Sequence, residues 1–207
     1  MTVFEIVVNA IVIISVAYVS FVLTLRDYLI ALRKGEAVTL LPERGGRKYP
    51  LWVQTLIVFL GLGICALMFF YLWIPLVALP EETAHVLAVV GLILYLPGLA
   101  LVLWARSKLG KMWGITTSQQ AKLSDQHQLV QSGPYAFVRH PMYFGWWICM
   151  LGLTLLYPVW MVFLLFVFSI VAFVGRARLE ESTLAERFGE AWTEYKRRTK
   201  FLIPFIL

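Results

Sequence analysis

Charge is scarce in this chain. Asp, Glu, Lys and Arg make up 14% of its 207 residues, where soluble domains carry about 25%. Cysteine is nearly absent: Cys65 and Cys149 lie far apart inside apolar runs, with no CxxC and no Cys/His cluster. That excludes a disulfide framework and a zinc site, and both thiols read as small buried hydrophobes. No period of 20–50 residues repeats, which removes solenoids and propellers. What fills the sequence instead is apolar: 60% of residues are hydrophobic and 15% aromatic, and mean hydropathy is +0.79. A soluble chain of this size has too little interior to hide so much apolar surface, so a polytopic membrane protein is expected.

Five apolar stretches are legible: Val3–Leu25, Leu51–Ile74, Ala84–Ala105, Met142–Leu156 and Val159–Val174. The first three have the roughly 20 residues that a spanning helix needs. The last two form a pair around the turn Tyr157-Pro158 and are short enough to stop below the far surface, a re-entrant hairpin being the alternative. Glu5 in place of a basic start, with Arg26, Arg33 and Lys34 following, reads the first stretch as a span and not as a cleavable signal.

The basic residues are segregated. All 18 Lys and Arg fall in the segments 26–50, 106–139 and 175–207, while the opposite side carries only Glu5, Glu81 and Glu82. By the positive-inside rule the N-terminus is outside and the C-terminus cytosolic, with about five spans; in a prokaryote the membrane would be the plasma (inner) membrane. The net charge of +6 is thereby accounted for as topology, and no nucleic-acid partner is needed. The expected fold is all-α: a membrane helical bundle with a cytosolic C-terminal helix, one domain over 1–207, with three spans in 1–105 and a catalytic half in 106–207.

Gly61-Leu-Gly63-Ile-Cys-Ala66 matches the dinucleotide fingerprint GxGxxA, but it lies mid-span with no βαβ unit to present a helix end to a pyrophosphate. Close helix packing by small residues is the expected reason for these glycines.

Polar residues converge at one depth. Ser132-Gly133-Pro134 is a turn signal, and Tyr135, Arg139, His140 and Tyr143 follow where the fourth stretch begins, with Pro141 in the first helical turn. His140 and Tyr143, three apart, share a helix face. Each has an ordinary explanation: Arg139 as an interfacial anchor, the tyrosines as aromatic-belt residues, His140 as an interfacial histidine. Their density argues for a site. After the fifth stretch come Arg176, Glu180 and Glu181, the first two spaced for an i,i+4 ion pair. Leu184, Phe188, Trp192 and Tyr195 then form one apolar stripe on an expected helix, within which Gly189 suggests close packing. Phe201–Leu207 is expected to tuck back against the spans.

These residues resemble a known family. His127-Gln-Leu-Val130, Gly133-Pro-Tyr135, Arg139-His-Pro-Met-Tyr143 and Gly145, then Arg176, Glu180-Glu181, Phe188-Gly189, Tyr195 and Pro204, are similar in identity and order to the isoprenylcysteine carboxyl methyltransferases. Phospholipid N-methyltransferases share the RHPxY and EE elements. The resemblance covers about the last hundred residues and looks like a short prokaryotic form; Trp192, where relatives often carry Tyr, departs from it.

The resemblance implies a membrane bundle with a cytosolic pocket, S-adenosylmethionine as methyl donor and S-adenosylhomocysteine as product. It implies cofactor contacts at Gln120, His127, Gln128, Leu129, Val130, Tyr135, His140, Pro141, Met142, Tyr143 and Glu180. It makes Arg176 the acceptor-recognition residue, with Arg176, Glu180 and Glu181 as the catalytic set. The expected partners are a lipophilic methyl acceptor from the bilayer and membrane lipids, with no obligate protein partner and no metal. A carboxylate acceptor, ionised at neutral pH, suits a site without a base. An amine acceptor would need one, Glu181 or His127 being the candidates. A phospholipid or small-amine N-methyltransferase is thus the second reading, and an NADPH-dependent membrane reductase of the sterol-reductase type, similar near RHxxY, is the third.

Overall fold

The computed structural model describes residues 2–23, 25, 26, 29, 50–112 and 128–203. Among them the regular structure is helical: α1 (Val3–Ala17), α2 (Leu51–Tyr71), α3 (Glu81–Leu109), α4 (Pro141–Leu156), α5 (Trp160–Phe188) and α6 (Glu190–Arg198), with short 3₁₀ turns at Gly110–Met112 and Gly133–Ala136. The only β pairing among them is two isolated bridges. The chain divides into two compact units, residues 1–61 with 114–122, and residues 62–113 with 123–207.

In the first unit Thr2 caps α1. Its hydroxyl accepts from the Glu5 N–H at 3.3 Å and its own N–H donates to the Glu5 carboxylate at 2.8 Å, the reciprocal pairing that satisfies two orphan donors of a first turn. The α-helix passes at Tyr18–Val22 into a π-helical turn, so the first apolar stretch is not one uniform α-helix.

The second unit is built on a close α3–α4 contact. Gly91 and Gly98 of α3 face Gly152 and Gly145 of α4. A Cβ added at Gly152 would lie 2.7 Å from the Gly91 carbonyl oxygen and 2.7 Å from the Tyr95 nitrogen; one at Gly98 would lie 2.8 Å from the Cys149 nitrogen. Small residues let two backbones touch, which is how helices associate where solvent offers no hydrophobic drive. Tyr95, Val102 and Cys149 are fully buried along this seam. The small-residue packing expected at Gly61 and Gly63 is therefore found elsewhere, since a Cβ at either of those positions meets no described atom within 4 Å.

Two helices, α3 and α5, run well past their apolar stretches. α3 extends the expected Ala84–Ala105 at both ends, with Glu81 and Glu82 in its first turn and Arg106 and Lys108 in its last, the charge order a helix dipole favours. At the other end of the unit the turn at Tyr157-Pro158 is present, pinned by Leu76 N–H to Pro158 O at 2.8 Å and Trp160 N–H to Ile74 O at 3.0 Å. α5 then runs well past Val174, so Glu180 and Glu181 stand on the same continuous helix as the fifth stretch.

That helix stops at Gly189, whose φ of +50° and ψ of −116° belong to glycine and break the helix. The expected single stripe from Leu184 to Tyr195 is thus divided between α5 and α6. Gly189 serves the break and not close packing, because no described atom lies within 4 Å of a Cβ placed there.

Three described helices are long and apolar enough to cross a membrane, at Trp52–Tyr71, Glu81–Leu109 and Trp160–Phe188, while Val3–Ala17 and Pro141–Leu156 are apolar but shorter. The chain is an integral membrane protein of helical build; of the about five expected spans, three have the length to cross among the described residues, and the fifth, expected to be short, is one of them.

Candidate active site

The site forms where α4 begins, where α5 leaves its apolar stretch, and where α6 ends. Gly133 opens it, with a φ of +65° that glycine adopts without strain and with the Lys108 stem 2.8 Å from where a Cβ would sit. The 3₁₀ turn Gly133–Ala136 then buries Tyr135 in a cluster with Val102, Ala105 and Met142, against which Leu109, Val130 and Trp146 pack. The Tyr195 hydroxyl of α6 donates to the Tyr135 carbonyl at 2.8 Å. Burial, the largest cause, raises both phenols above their ordinary pKa, with neighbouring Tyr195, Glu180 and Tyr143 adding to the shift of Tyr135. Both stay neutral, so Tyr195 remains a donor. Tyr195→Phe removes that one bond and leaves a buried carbonyl unpaired. A loss of about 1–3 kcal/mol is expected, measurable as a lower thermal midpoint of the detergent-solubilised protein.

Pro141 occupies the first turn of α4, where its missing N–H costs nothing, and it keeps His140 out of the helix. The His140 ring stacks on Tyr143 at 5.6 Å, and Tyr143 stacks on Phe173 of α5 at 4.9 Å. Tyr143 donates to Glu180 Oε1 at 2.6 Å, and Arg176 Nε donates to the same oxygen at 3.1 Å. The i,i+4 pair is thus present and is joined by a third residue from α4. His140 Nδ1 is 3.7 Å from Glu180 Oε2, and Nε2 is 3.4 Å from Glu181 Oε1. Nε2 is buried and makes no hydrogen bond; an orphaned buried nitrogen is a group for which a ligand can supply the partner.

Glu181 shares His140 with Glu180 but faces two cations of its own. Arg139 Nε donates to its Oε1, and Lys196 Nζ lies 3.8 Å from its Oε2. The two adjacent carboxylates therefore divide the work: Glu180 looks to Tyr143 and Arg176, Glu181 to Arg139 and Lys196.

A backbone seam closes the arrangement. Val138 and Lys200 form a parallel bridge, with Arg139 N–H to Lys200 O at 2.8 Å, His140 N–H to Phe201 O at 3.2 Å and Lys200 N–H to Phe137 O at 3.0 Å. Of the segment Phe201–Leu207, expected to tuck back, residues 201–203 are described and lie against the start of α4, with Leu202 buried; 204–207 lie outside the described residues.

Deeper along the same two helices, Phe144, Trp147, Ile148 and Leu151 of α4 and Phe166 and Ile170 of α5 line a wholly apolar groove of about 180 Å³. Its lining includes Phe144, next to Tyr143 in the chain, and Ile170, one turn before Phe173.

Of the residues singled out in sequence, Tyr135, His140, Tyr143, Arg176, Glu180 and Glu181 are brought together, with Val130, Pro141 and Met142 in the wall. Leu129 is half-buried and Gln128 exposed, the Gln128 N–H meeting Met112 Sδ at 3.3 Å. Gln120, His127 and Pro204 lie outside the described residues. Phe173 was not expected, although its spacing from Arg176 and Glu180 (i, i+3, i+7) places it on their face. The Lys196 and Thr199 carbonyls are backbone groups for which no sequence signal exists. What is assembled is an apolar wall, a buried imidazole, a carboxylate and a guanidinium, on the two helices that line the apolar groove. That suits a charged small ligand beside an amphipathic one.

The sequence pattern of the phospholipid methyltransferase family matches residues 86–191, starting within α3 and so taking in the third apolar stretch, which the motif resemblance left out. Similar curated proteins include the protein-S-isoprenylcysteine O-methyltransferases of Saccharomyces cerevisiae, 39% identical over 89 residues covering 42% of this chain and 37% of the relative, and of Homo sapiens, 41% identical over 90 residues covering 42% and 31%. That of Xenopus laevis is 36% identical over 122 residues, 58% of this chain and 41% of the relative. The match thus spans about a third of the length of the first two. Among solved structures, the eukaryotic intramembrane Ras methyltransferase ICMT superposes with a TM-score of 0.53 at 23% identity, over 86% of this chain and 60% of that one, a likeness of fold.

Proposed function

Given that the chain belongs to the phospholipid methyltransferase family, we propose that it is an S-adenosylmethionine-dependent methyltransferase of the membrane. Its proposed reaction is O-methylation of the carboxylate of a prenylated cysteine or a similar lipophilic acceptor. The observation that carries this reading is the paired arrangement on α5, Arg176 as a cation beside Glu180 as an anion, on a helix that also contributes Phe166 and Ile170 to an apolar groove.

The chain's residues fit the cofactor on one structural ground in particular: His140 Nε2 is buried with no well-formed hydrogen bond, its nearest carboxylate being Glu181 at 3.4 Å, and it would donate to the cofactor's carboxylate. Tyr135, Val130 and Met142 offer an apolar wall for an adenine. Glu180 offers a negative charge to the cofactor's cationic end. When bound, S-adenosylmethionine supplies a methyl group on a sulfonium, and displacement at that carbon requires alignment and exclusion of water more than acid–base help.

Arg176 holds the acceptor carboxylate by its planar fork, and the groove between α4 and α5 takes the apolar tail. The acceptor is already ionised, so no side chain has to remove a proton. An amine acceptor would need a base. Glu181 is ill suited to that work because Arg139 and Lys196 already engage it, and this favours the carboxylate over the amine. In the proposed topology the N-terminus is outside and these groups face the cytosol, since every Lys and Arg lies in the three segments assigned to that side.

Ligand-induced stabilisation tests the cofactor. S-adenosylhomocysteine at a hundredfold excess over its dissociation constant is expected to stabilise the purified protein by about 2.7 kcal/mol, and Glu180→Ala to abolish the shift. Stabilisation by NADPH instead would establish the reductase reading.

A further inference from the structure

The RHPxY arginine has no part in the function proposed above. An arginine at a membrane-water interface ordinarily extends its head into water. Arg139 does the opposite: its side chain is 8% exposed and its guanidinium points inward to three segments. Nε donates to Glu181 of α5; Nη1 donates to the Thr199 carbonyl at 2.6 Å and to the Lys196 carbonyl at 3.3 Å. The cation also lies over the Phe201 ring at 5.7 Å. The two carbonyls are at the C-terminal end of α6, where a helix leaves its last acceptors unsatisfied and where its dipole favours a cation. The Arg139 main chain is itself part of the seam with Lys200.

We propose that Arg139 is a positioning residue that latches α6 and the strap 199–203 onto the start of α4, and that this latch sets cofactor affinity. The inference rests on the methyltransferase reading for its functional half. Everything Arg139 fixes lies on the cofactor side. The seam it stabilises holds His140, whose backbone N–H bonds to Phe201. Its carboxylate partner, Glu181, adjoins Glu180 and lies 3.4 Å from His140 Nε2. α6, whose end it caps, supports the Tyr135 carbonyl through Tyr195. A planar fork is required, because one ammonium has neither the reach nor the fixed geometry to serve a carboxylate and two carbonyls together.

The experiment compares full-length wild type, Arg139→Gln and the milder Arg139→Lys in detergent, by S-adenosylhomocysteine titration calorimetry, acceptor KM at saturating cofactor, and limited trypsinolysis. Arg139→Gln is expected to weaken S-adenosylhomocysteine at least tenfold while the acceptor KM moves less than threefold, with Arg139→Lys between the two. Tryptic cleavage after Lys196–Lys200, which needs the strap to open locally, is expected to quicken about tenfold in Arg139→Gln, following the rise in the open population. Unchanged cofactor affinity, a rise in acceptor KM alone, or full recovery by lysine would overturn the proposal. Should the wild type bind no S-adenosylhomocysteine, the methyltransferase reading fails, and the cleavage rates, which need no cofactor, still decide the latch: equal rates overturn it.

Discussion

Arg176→Ala is expected to lower kcat/KM for a prenylated-cysteine carboxylate about a hundredfold or more, with S-adenosylhomocysteine affinity changed less than threefold. Removing one member of a hydrogen-bonded charge pair costs roughly 2–5 kcal/mol, and about 1.4 kcal/mol is tenfold in rate. The split between the two ligands follows from the geometry. Glu180 keeps its 2.6 Å bond from Tyr143 when Arg176 is gone, so the cofactor side retains its anion while the acceptor loses its cation. Arg176→Lys keeps the charge without the fork and is expected to recover activity in part. Steady-state kinetics with both variants checks this. Activity within threefold of wild type in Arg176→Ala would remove the carboxylate clamp from the mechanism.

The largest expected effect on folding is at Gly152. The first atom of any side chain there falls 2.7 Å from the Gly91 carbonyl and 2.7 Å from the Tyr95 nitrogen. Both are backbone atoms, so no rotamer change can relieve the contact and the helices must separate. Overpacking ordinarily costs about 1–3 kcal/mol and more where nothing can move. Gly152→Ala is therefore expected to lower the thermal midpoint clearly, and Gly152→Leu to yield no monodisperse protein on size exclusion. Gly175→Ala on α5 is the matched control. It meets no described atom within 4 Å and replaces a helical glycine, a change worth roughly 0.5–1 kcal/mol in the stabilising direction. Equal behaviour of Gly152→Ala and Gly175→Ala would contradict the packing described for α3 and α4.

The sequence was most readable where one physical rule acts locally. Apolar runs longer than a soluble helix gave the membrane class, Tyr157-Pro158 gave the turn, and Pro141 gave the start of α4. His140 and Tyr143 were expected on one helix face; they do lie together, but as stacked rings with His140 just before the helix. Helix ends were less readable, because they depend on the residues beyond the apolar run. Arg176 to Arg187 continue α5 as ordinary helix formers, so hydropathy ended the helix at Val174 while the backbone continues to Phe188. Gly189 was visible as an anomaly, but a helical period cannot distinguish a glycine that packs from one that adopts a positive φ.

In the candidate site, Tyr143, Arg176 and Glu180 were singled out by the density of polar residues at one depth and by the family resemblance, and they do lie together. The division of labour between Glu180 and Glu181 was not legible, since it depends on the Val138–Lys200 bridge, a contact 62 positions apart in the chain. The glycine seam was unreadable for a related reason: Gly91 and Gly98 on one helix identify no partner until α4 is placed against them.

The chemical nature of the transferred methyl group tests the proposed activity most directly. The purified chain in lipid, given radiolabelled S-adenosylmethionine with a farnesylcysteine analogue or with phosphatidylethanolamine, is predicted to label the farnesylcysteine analogue. That label should be released as volatile methanol on mild base, as a methyl ester's is. Base-stable label on phosphatidylethanolamine, with none on the prenylated carboxylate, would contradict the account and make the protein an N-methyltransferase.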